Sequence, residues 1–395
     1  MRTVLLVWEL GGGVSHLFNL LPLAAQLRRR GHRVCAVVRN LVRAEKVFSR
    51  LGVECMQAPL KPKRLANRID PLRTFAHVLY NTGYGDEEIL RNLGNAWHTL
   101  FEEVRPDLIL FEHSPVALLA ARTIPAKKVV VGNGFCCPPD CSPWPDLRPW
   151  LPEDSARQEE EENRVLTIAN RVLEDWGTSP LDRLSQLYQD VDATVLLTFS
   201  EFDHYPMRAA AQYSGIWPPP GGKPPSWPSG DGKRIYAYLQ PFPARRTVLS
   251  QLRELECPML VSAAGIDWDE ARELSTEKLH FVRSTLNLRQ VAKECDLAVL
   301  NGNHATTILM HLAGTPVLQL PLYLEQSLNA EATVRLGAGY CARLAEASRI
   351  SQIADQLLNN RNYTETATRF ARKYAQFNPR KPLAAAMDRL DGLLQ

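Results

Sequence analysis

Residues 215–232 read Gly-Ile-Trp-Pro-Pro-Pro-Gly-Gly-Lys-Pro-Pro-Ser-Trp-Pro-Ser-Gly-Asp-Gly. Prolines without amide donors and flexible glycines at this density stop any helix or strand from passing through. The chain on either side must therefore fold as two separate halves. In each half, short β-rich apolar runs alternate with amphipathic helical patterns, which is how parallel sheets are built from βαβ units. The first half is expected to place strands at 3–8, 33–38, 53–56, 107–111 and 128–131, with a helix over 17–30 ended by Gly31. The second is expected to place them at 234–239, 259–263, 280–282, 297–300 and 316–320. This predicts an α/β protein with a first domain over 1–215, a linker over 216–233 and a second domain over 234–378.

With 395 residues, 45% of them apolar, the chain can bury two cores. A net charge of +3 is too small to hold a polyanion, so no nucleic-acid partner is expected. The opening Met1-Arg2-Thr3-Val4-Leu5-Leu6-Val7-Trp8-Glu9 reads as a buried strand rather than an export signal, and a cytoplasmic location is expected. The charge-free stretch from Asp296 to Glu325 contains Asn301, Asn303, His304, His311, Gln319 and two prolines, which fits a domain interior and no transmembrane segment. Eight cysteines in such a chain read as reduced thiols, and Cys136, Cys137 and Cys141 lack the spacing of a zinc site. Asp267-Trp268-Asp269 precedes helix-forming residues and is read as a helix start, and the acidic run 159–162 as a solvated helix face. No metal is expected.

The most informative segment runs from Cys295 to Ala330. It reads as a strand, a small polar loop, a helix with free amides near Ala305–Thr307, a second strand and a second polar turn at 323–326. A helix start of this kind attracts a diphosphate. The ends of parallel strands open at one edge, so the loop at 301–307 and the turn at 323–326 should face one crevice, one holding phosphates and the other sugar hydroxyls.

Ala313-Gly314-Thr315-Pro316, Pro321, Glu325-Gln326, Asn329-Ala330 and Leu336-Gly337-Ala338-Gly339 resemble the donor-binding signature of family-one glycosyltransferases of the GT-B fold. That resemblance implies two Rossmann-like domains facing each other across a cleft, with a last helix at 379–395 crossing back to the first. The loop departs from the pattern: Asn301 stands where the family has a phosphate-binding histidine, Asn303 and Ala305 replace glycines, and Leu309 replaces a ribose-binding glutamate. Gly302 and Thr306 are retained. The resemblance assigns the donor to Leu286, Asn287, Asn301, Gly302, Asn303, His304, Ala305, Thr306, Thr307, Glu325 and Gln326. Without the ribose carboxylate, a dTDP-sugar stands beside a UDP-sugar as donor. His304, Thr306 and Thr307 either take over phosphate contacts or, for the two threonines, cap the helix.

Trp8-Glu9-Leu10-Gly11-Gly12-Gly13-Val14-Ser15-His16 resembles the glycine loop and histidine that open these enzymes, with Ser15 in place of the last glycine. The resemblance makes His16 the base. A histidine suits this task, because deprotonating an acceptor hydroxyl needs a group that titrates near neutrality. Pro106-Asp107-Leu108-Ile109-Leu110-Phe111-Glu112 supplies Glu112 as the family's acidic partner of that histidine. The acceptor is expected against Gly12, Gly13, His113, Phe135 and Trp144. The loop 133–152 that carries Trp144 either lines the acceptor pocket or packs as a surface loop.

The expected function is inverting, metal-independent transfer of a sugar from a nucleotide diphosphate to a hydroxyl of a small molecule or lipid, by a monomer or homodimer and with no cofactor beyond the donor. A sugar-nucleotide epimerase or hydrolase, and a catalytically silent nucleotide-binding protein, are the competing readings.

Overall fold

The structure is a computed structural model that describes residues 1–61, 65, 67–209, 211–218 and 221–395. Contacts divide the chain into a first unit, Met1–Trp217 with Asn378–Gln395, and a second, Pro218–Phe377.

The first unit holds a parallel sheet of β1 (Thr3–Trp8), β2 (Arg33–Val38), β3 (Glu54–Gln57), β4 (Leu108–Glu112), β5 (Lys127–Gly132) and β6 (Ala193–Leu196), in the order β3-β2-β1-β4-β5-β6. The central strands are apolar because both faces are covered: Val4, Leu5, Leu6, Leu108, Ile109 and Leu110 have no exposed surface. The helix Ser15–Arg29 lays Leu17, Leu20, Leu23, Ala24 and Leu27 on the sheet. Each such leucine contributes roughly 1.5–3 kcal/mol on leaving water. The helix ends at Gly31, whose φ of 82° and amide bond to the Arg28 carbonyl close it as the sequence predicts. The helix Arg380–Leu393 adds Ala386, Met387 and Leu390 to this same core, and Arg2 donates to the Leu394 carbonyl.

The second unit repeats the arrangement with β7 (Ile235–Leu239), β8 (Met259–Ala263), β9 (Leu279–Phe281), β10 (Leu297–Leu300), β11 (Val317–Gln319) and β12 (Gly339–Cys341), ordered β12-β11-β10-β7-β8-β9. The strand order reverses between β1 and β4 in one sheet and between β7 and β10 in the other. In open α/β sheets these are the places where ligands bind, beyond the carboxyl ends of the strands.

Two strands escape the sequence reading. β6 has four residues and β12 three. β12 also begins with a residue type depleted in strands, yet glycine is required there: a Cβ on Gly339 would lie 2.0 Å from the Val317 carbonyl oxygen. The helix expected near 305–307 starts at His304. The proline- and glycine-rich segment is irregular but anchored within the second unit. Lys223 exchanges backbone bonds of 2.8 Å with Thr285 and Asn287, and Trp227 Nε1 donates to Glu294 Oε2 at 2.8 Å. Pro219 and Pro220 of the expected linker lie outside the described residues.

Candidate active site

At the first reversal point, the register places Trp8, the last residue of β1, beside Glu112, the last of β4. The chain leaves β1 through Gly11-Gly12-Gly13 and enters the helix Ser15–Arg29, which puts His16 in its first turn. Glu112 thus faces His16 because adjacent strands end level. His16 Nδ1 lies 2.6 Å from Glu112 Oε2, with the imidazole 8% and the carboxylate 1% exposed as residues. Asn19, one turn along the helix, donates from Nδ2 to Glu112 Oε1 at 3.1 Å. Both carboxylate oxygens are therefore engaged, and the histidine tautomer with its proton on Nδ1 is fixed.

The other ring nitrogen faces the glycine loop. A Cβ on Gly11 would lie 2.3 Å from His16 Nε2, and Gly11 holds φ at +82°, so this position needs glycine on both counts. The loop is tied down by the Leu10 amide to the His113 carbonyl at 3.0 Å, Trp8 Nε1 to the Leu10 carbonyl at 2.6 Å, and Arg43 to the Gly12 carbonyl. The His16 ring lies between Trp8 and His113, with centroids 5.5 Å and 5.9 Å away. Burial, with the nearby His16 second, pushes the His113 imidazole down to about 3, so it stacks as a neutral ring. Glu9 accepts from the amides of Val116 and Ala117, at 3.1 Å each, and burial pushes its carboxyl up to about 8.

Of the expected acceptor contacts, Gly12 and Gly13 lie in the accessible loop beside His16, and His113 and Phe135 lie in the aromatic group around it. Trp144 does not line an accessible surface. It is 1% exposed, packs edge-on against Phe75 at 5.4 Å, and donates from Nε1 to the Pro139 carbonyl. The loop that carries it packs inward because Glu162 binds the Trp144 amide and Ser142. Gly11, Asn19 and Trp8 had no assigned role in the sequence reading. The three glycines are equivalent in the sequence, and only the fold shows which one meets the ring.

At the second reversal point, Gly302 adopts φ +80° and a Cβ there would lie 2.5 Å from the Gln326 carbonyl oxygen, so the loop is drawn against the turn that opens the helix Leu324–Leu336. Asn329 Nδ2 donates to the Gly302 carbonyl at 3.1 Å. Asn303, His304, Ala305 and Thr306 are partly exposed at the start of the helix His304–Leu312, and Glu325 is partly exposed beside Gln326. Three buried polar atoms gathered here have no hydrogen-bond partner among the described residues: Asn303 Oδ1, Gln326 Nε2 and Asn329 Oδ1. Unpaired buried groups are costly and in native proteins mark a place where a polar ligand or water belongs.

Two of the residues assigned to the donor have buried side chains bonded inside the second unit. Asn301 is fully buried. Its Oδ1 accepts from the Gln240 amide at 2.7 Å and its Nδ2 donates to the Leu320 carbonyl at 2.7 Å, so it laces together the ends of β7, β10 and β11 and presents nothing to a phosphate. Thr307 is equally buried and accepts from Gln319 Nε2 at 3.0 Å. Asn287 caps the helix Leu288–Glu294 with its side chain, and Leu286 is 5% exposed beside Lys223.

No family model matches the chain. It is 28% identical over 306 residues to a "PGL/p-HBAD biosynthesis rhamnosyltransferase" of Mycobacterium bovis (strain BCG / Pasteur 1173P2), a match that covers 71% of this chain and 67% of the relative. Among solved structures, CalG4, the calicheamicin glycosyltransferase, superposes with a TM-score of 0.70 at 15% identity over the whole of both chains. The spinosyn rhamnosyltransferase SpnG, complexed with thymidine diphosphate, superposes with a TM-score of 0.65 at 15% identity, covering 98% of this chain and 99% of that one. The fold is thus GT-B. No helix among the described residues is long and apolar enough to cross a membrane.

Proposed function

We propose that this chain, a GT-B glycosyltransferase of the nucleotide-sugar type, moves a sugar from a deoxythymidine diphosphate donor onto a hydroxyl of a small-molecule or lipid acceptor, with inversion at the anomeric carbon and without a metal. The observation that carries the reading is the buried His16–Glu112 pair, 2.6 Å apart, whose other ring nitrogen faces the glycine loop at Gly11.

With Nδ1 held by the carboxylate, Nε2 takes the acceptor's proton. The acceptor oxygen forms a bond to the anomeric carbon, the bond from that carbon to the diphosphate oxygen breaks, and its electron pair leaves with the diphosphate. Glu112 stabilises the imidazolium so formed. The engagement of both Glu112 oxygens supports inversion: a double displacement needs a carboxylate able to attack carbon, and this one is held by His16 and Asn19. The amides that open the helix His304–Leu312 and the Gln326 Nε2 donor suit the departing diphosphate, the Asn303 Oδ1 acceptor suits a sugar hydroxyl, and Glu325 and Gln326 hold the sugar.

The deoxythymidine choice rests on three observations. A rhamnosyltransferase is among the relatives. SpnG is described with thymidine diphosphate. The resemblance sets Leu309 where the family has a ribose-binding glutamate, and this side chain is apolar.

The test is a rate comparison with dTDP- and UDP-sugars, run with wild type and His16→Ala. The wild type should prefer dTDP-sugars, and the variant should lose roughly 10²–10⁴ in kcat while still binding dTDP. A chelator should not lower the wild-type rate. Unimpaired transfer by His16→Ala would overturn the assignment.

A further inference from the structure

A third side chain with metal-ligand chemistry meets the His16–Glu112 pair. Cys136 sits in the short turn Gly134–Cys136 that follows β5, next to β4 in the sheet, and is 1% exposed. His16, Glu112 and Cys136 each offer one ligand atom, and these atoms lie within 4.8 Å of one another. We propose that the three form a binding site for a borderline-soft divalent cation, of which zinc is the representative, and that its occupation silences the transferase.

The donor set decides the class of ion. One imidazole nitrogen, one carboxylate oxygen and one sulfur are the ligand types of three-residue zinc sites with an open fourth position, whereas magnesium and calcium take oxygen ligands. Zinc ligands at about 2.0–2.3 Å from the ion stand roughly 3.3–3.8 Å apart in a tetrahedral arrangement. The three atoms lie within 4.8 Å of one another, and the His16–Glu112 contact of 2.6 Å opens toward that spacing as the cation takes the place of the shared proton.

The supports are those of a prepared site. Asn19 orients the second Glu112 oxygen, the Asn133 side chain accepts from the Cys136 amide at 3.2 Å, and Trp8 and His113 flank the imidazole. Such outer contacts hold ligands in place before the metal arrives. The sequence reading missed the site because it weighed Cys136 against its near neighbours, while its partners lie 24 and 120 residues upstream in the numbering.

Binding is a Lewis acid–base step with no change of oxidation state. The cation accepts lone pairs from nitrogen, oxygen and sulfur, the thiol proton passes to the buffer, and the proton that Nδ1 shared with Glu112 moves to Nε2 of the same ring. The silencing rests on the proposed role of His16, since an imidazole held by a cation cannot take a proton from an acceptor. The cation site itself does not depend on that role.

The experiment titrates the metal-free full-length protein with cobalt(II), reading the thiolate-to-cobalt charge-transfer band, and then with zinc in competition. The expected result is one equivalent bound, with affinity falling by more than about tenfold in Cys136→Ser and unchanged in Cys141→Ser. A band that survives in Cys136→Ser, or no band in the wild type, would overturn the site. A measurement on wild type alone covers a variant that fails to fold: X-ray absorption of the protein loaded with one equivalent of zinc should show a sulfur neighbour at about 2.3 Å, and a shell of nitrogen and oxygen alone would overturn the proposal. Transfer assayed in parallel should fall with zinc occupancy and return on adding EDTA. Cation bound at Cys136 with full transfer activity would support the site and overturn His16 as the base.

Discussion

At the scale of single residues, the site depends on a position that carries no side chain. Gly11 combines a left-handed φ of 82° with a gap that His16 Nε2 fills to within 2.3 Å of the missing Cβ. Gly11→Ala must displace the ring or the loop, and a misplacement near 1 Å is enough to cost about a hundredfold in rate. The expected outcome is a kcat reduced about a hundredfold with dTDP affinity unchanged, because the substitution lies in the first unit and the nucleotide contacts are proposed in the second. Steady-state kinetics beside nucleotide titration checks it. The resemblance paired His16 with Glu112, and the structure brings them to 2.6 Å because a glycine loop leads β1 into a helix start level with the end of β4. Gly11 was not singled out from Gly12 and Gly13, since the sequence contains no information on which glycine the ring will approach. Trp144 was left between two readings for the same reason: burial of a loop aromatic is decided by distant partners, here Phe75, Tyr188 and Glu162.

At the scale of elements, Asn301 shows how a polar residue in a functional motif can serve the sheet. Its amide bonds Gln240 after β7 and Leu320 after β11, and it has no exposed surface. Asn301→Ala leaves a buried amide and a buried carbonyl unpaired, which costs roughly 1–3 kcal/mol for each unsatisfied group. Chemical denaturation should show that loss.

The next helix adds a dependence on pH. His311, fully buried, shares Nδ1 with the Thr315 carbonyl at 3.1 Å, and burial pushes its imidazole down to about 4. An unfolded histidine titrates near about 6.5. Between these values the unfolded chain binds the extra proton, so stability is fully present above about pH 6.5 and falls as the pH drops toward 4, by about 3 kcal/mol at most. In His311→Asn, whose amide can still donate to Thr315, the difference in unfolding free energy between pH 7 and pH 4.5 should be smaller than in wild type by a comparable amount. An identical pH dependence in the two proteins would count against it. Ten of the twelve strands were readable from their apolar runs, the three-residue β9 and β11 among them, whereas β6 and β12 were not, and β12 opens on a glycine, a residue type depleted in strands.

At the scale of the whole molecule, the chain's two ends belong to one unit. The helix Arg380–Leu393 follows the entire second unit in sequence, yet Ala386, Met387 and Leu390 are buried in the core built by β1, β2 and the helix Ser15–Arg29. Arg30 bonds both the Met387 carbonyl and Asp391, and Arg2 bonds the Leu394 and Gln395 carbonyls. These contacts join residues more than 350 positions apart, so the first unit cannot complete its core until the last residues have been added, and its folding must pay the closure entropy of a loop that contains a whole second unit.

Leu390→Ala tests this arrangement without removing the helix. Leu390 has no exposed surface, and truncating a fully buried leucine costs about 2–5 kcal/mol through lost transfer energy and the cavity left behind. The substitution lies at the end of the sequence, but its effect should appear in the first unit. Hydrogen exchange should speed up in β1, β2 and the helix Ser15–Arg29, and stay at wild-type rates in β7 and β10. Affinity for dTDP should also hold, since the residues proposed to bind it lie in Pro218–Phe377. Faster exchange confined to β7 and β10 would mean that the last helix stabilises the second unit instead, and the assignment of the chain's final residues to the first core would fall.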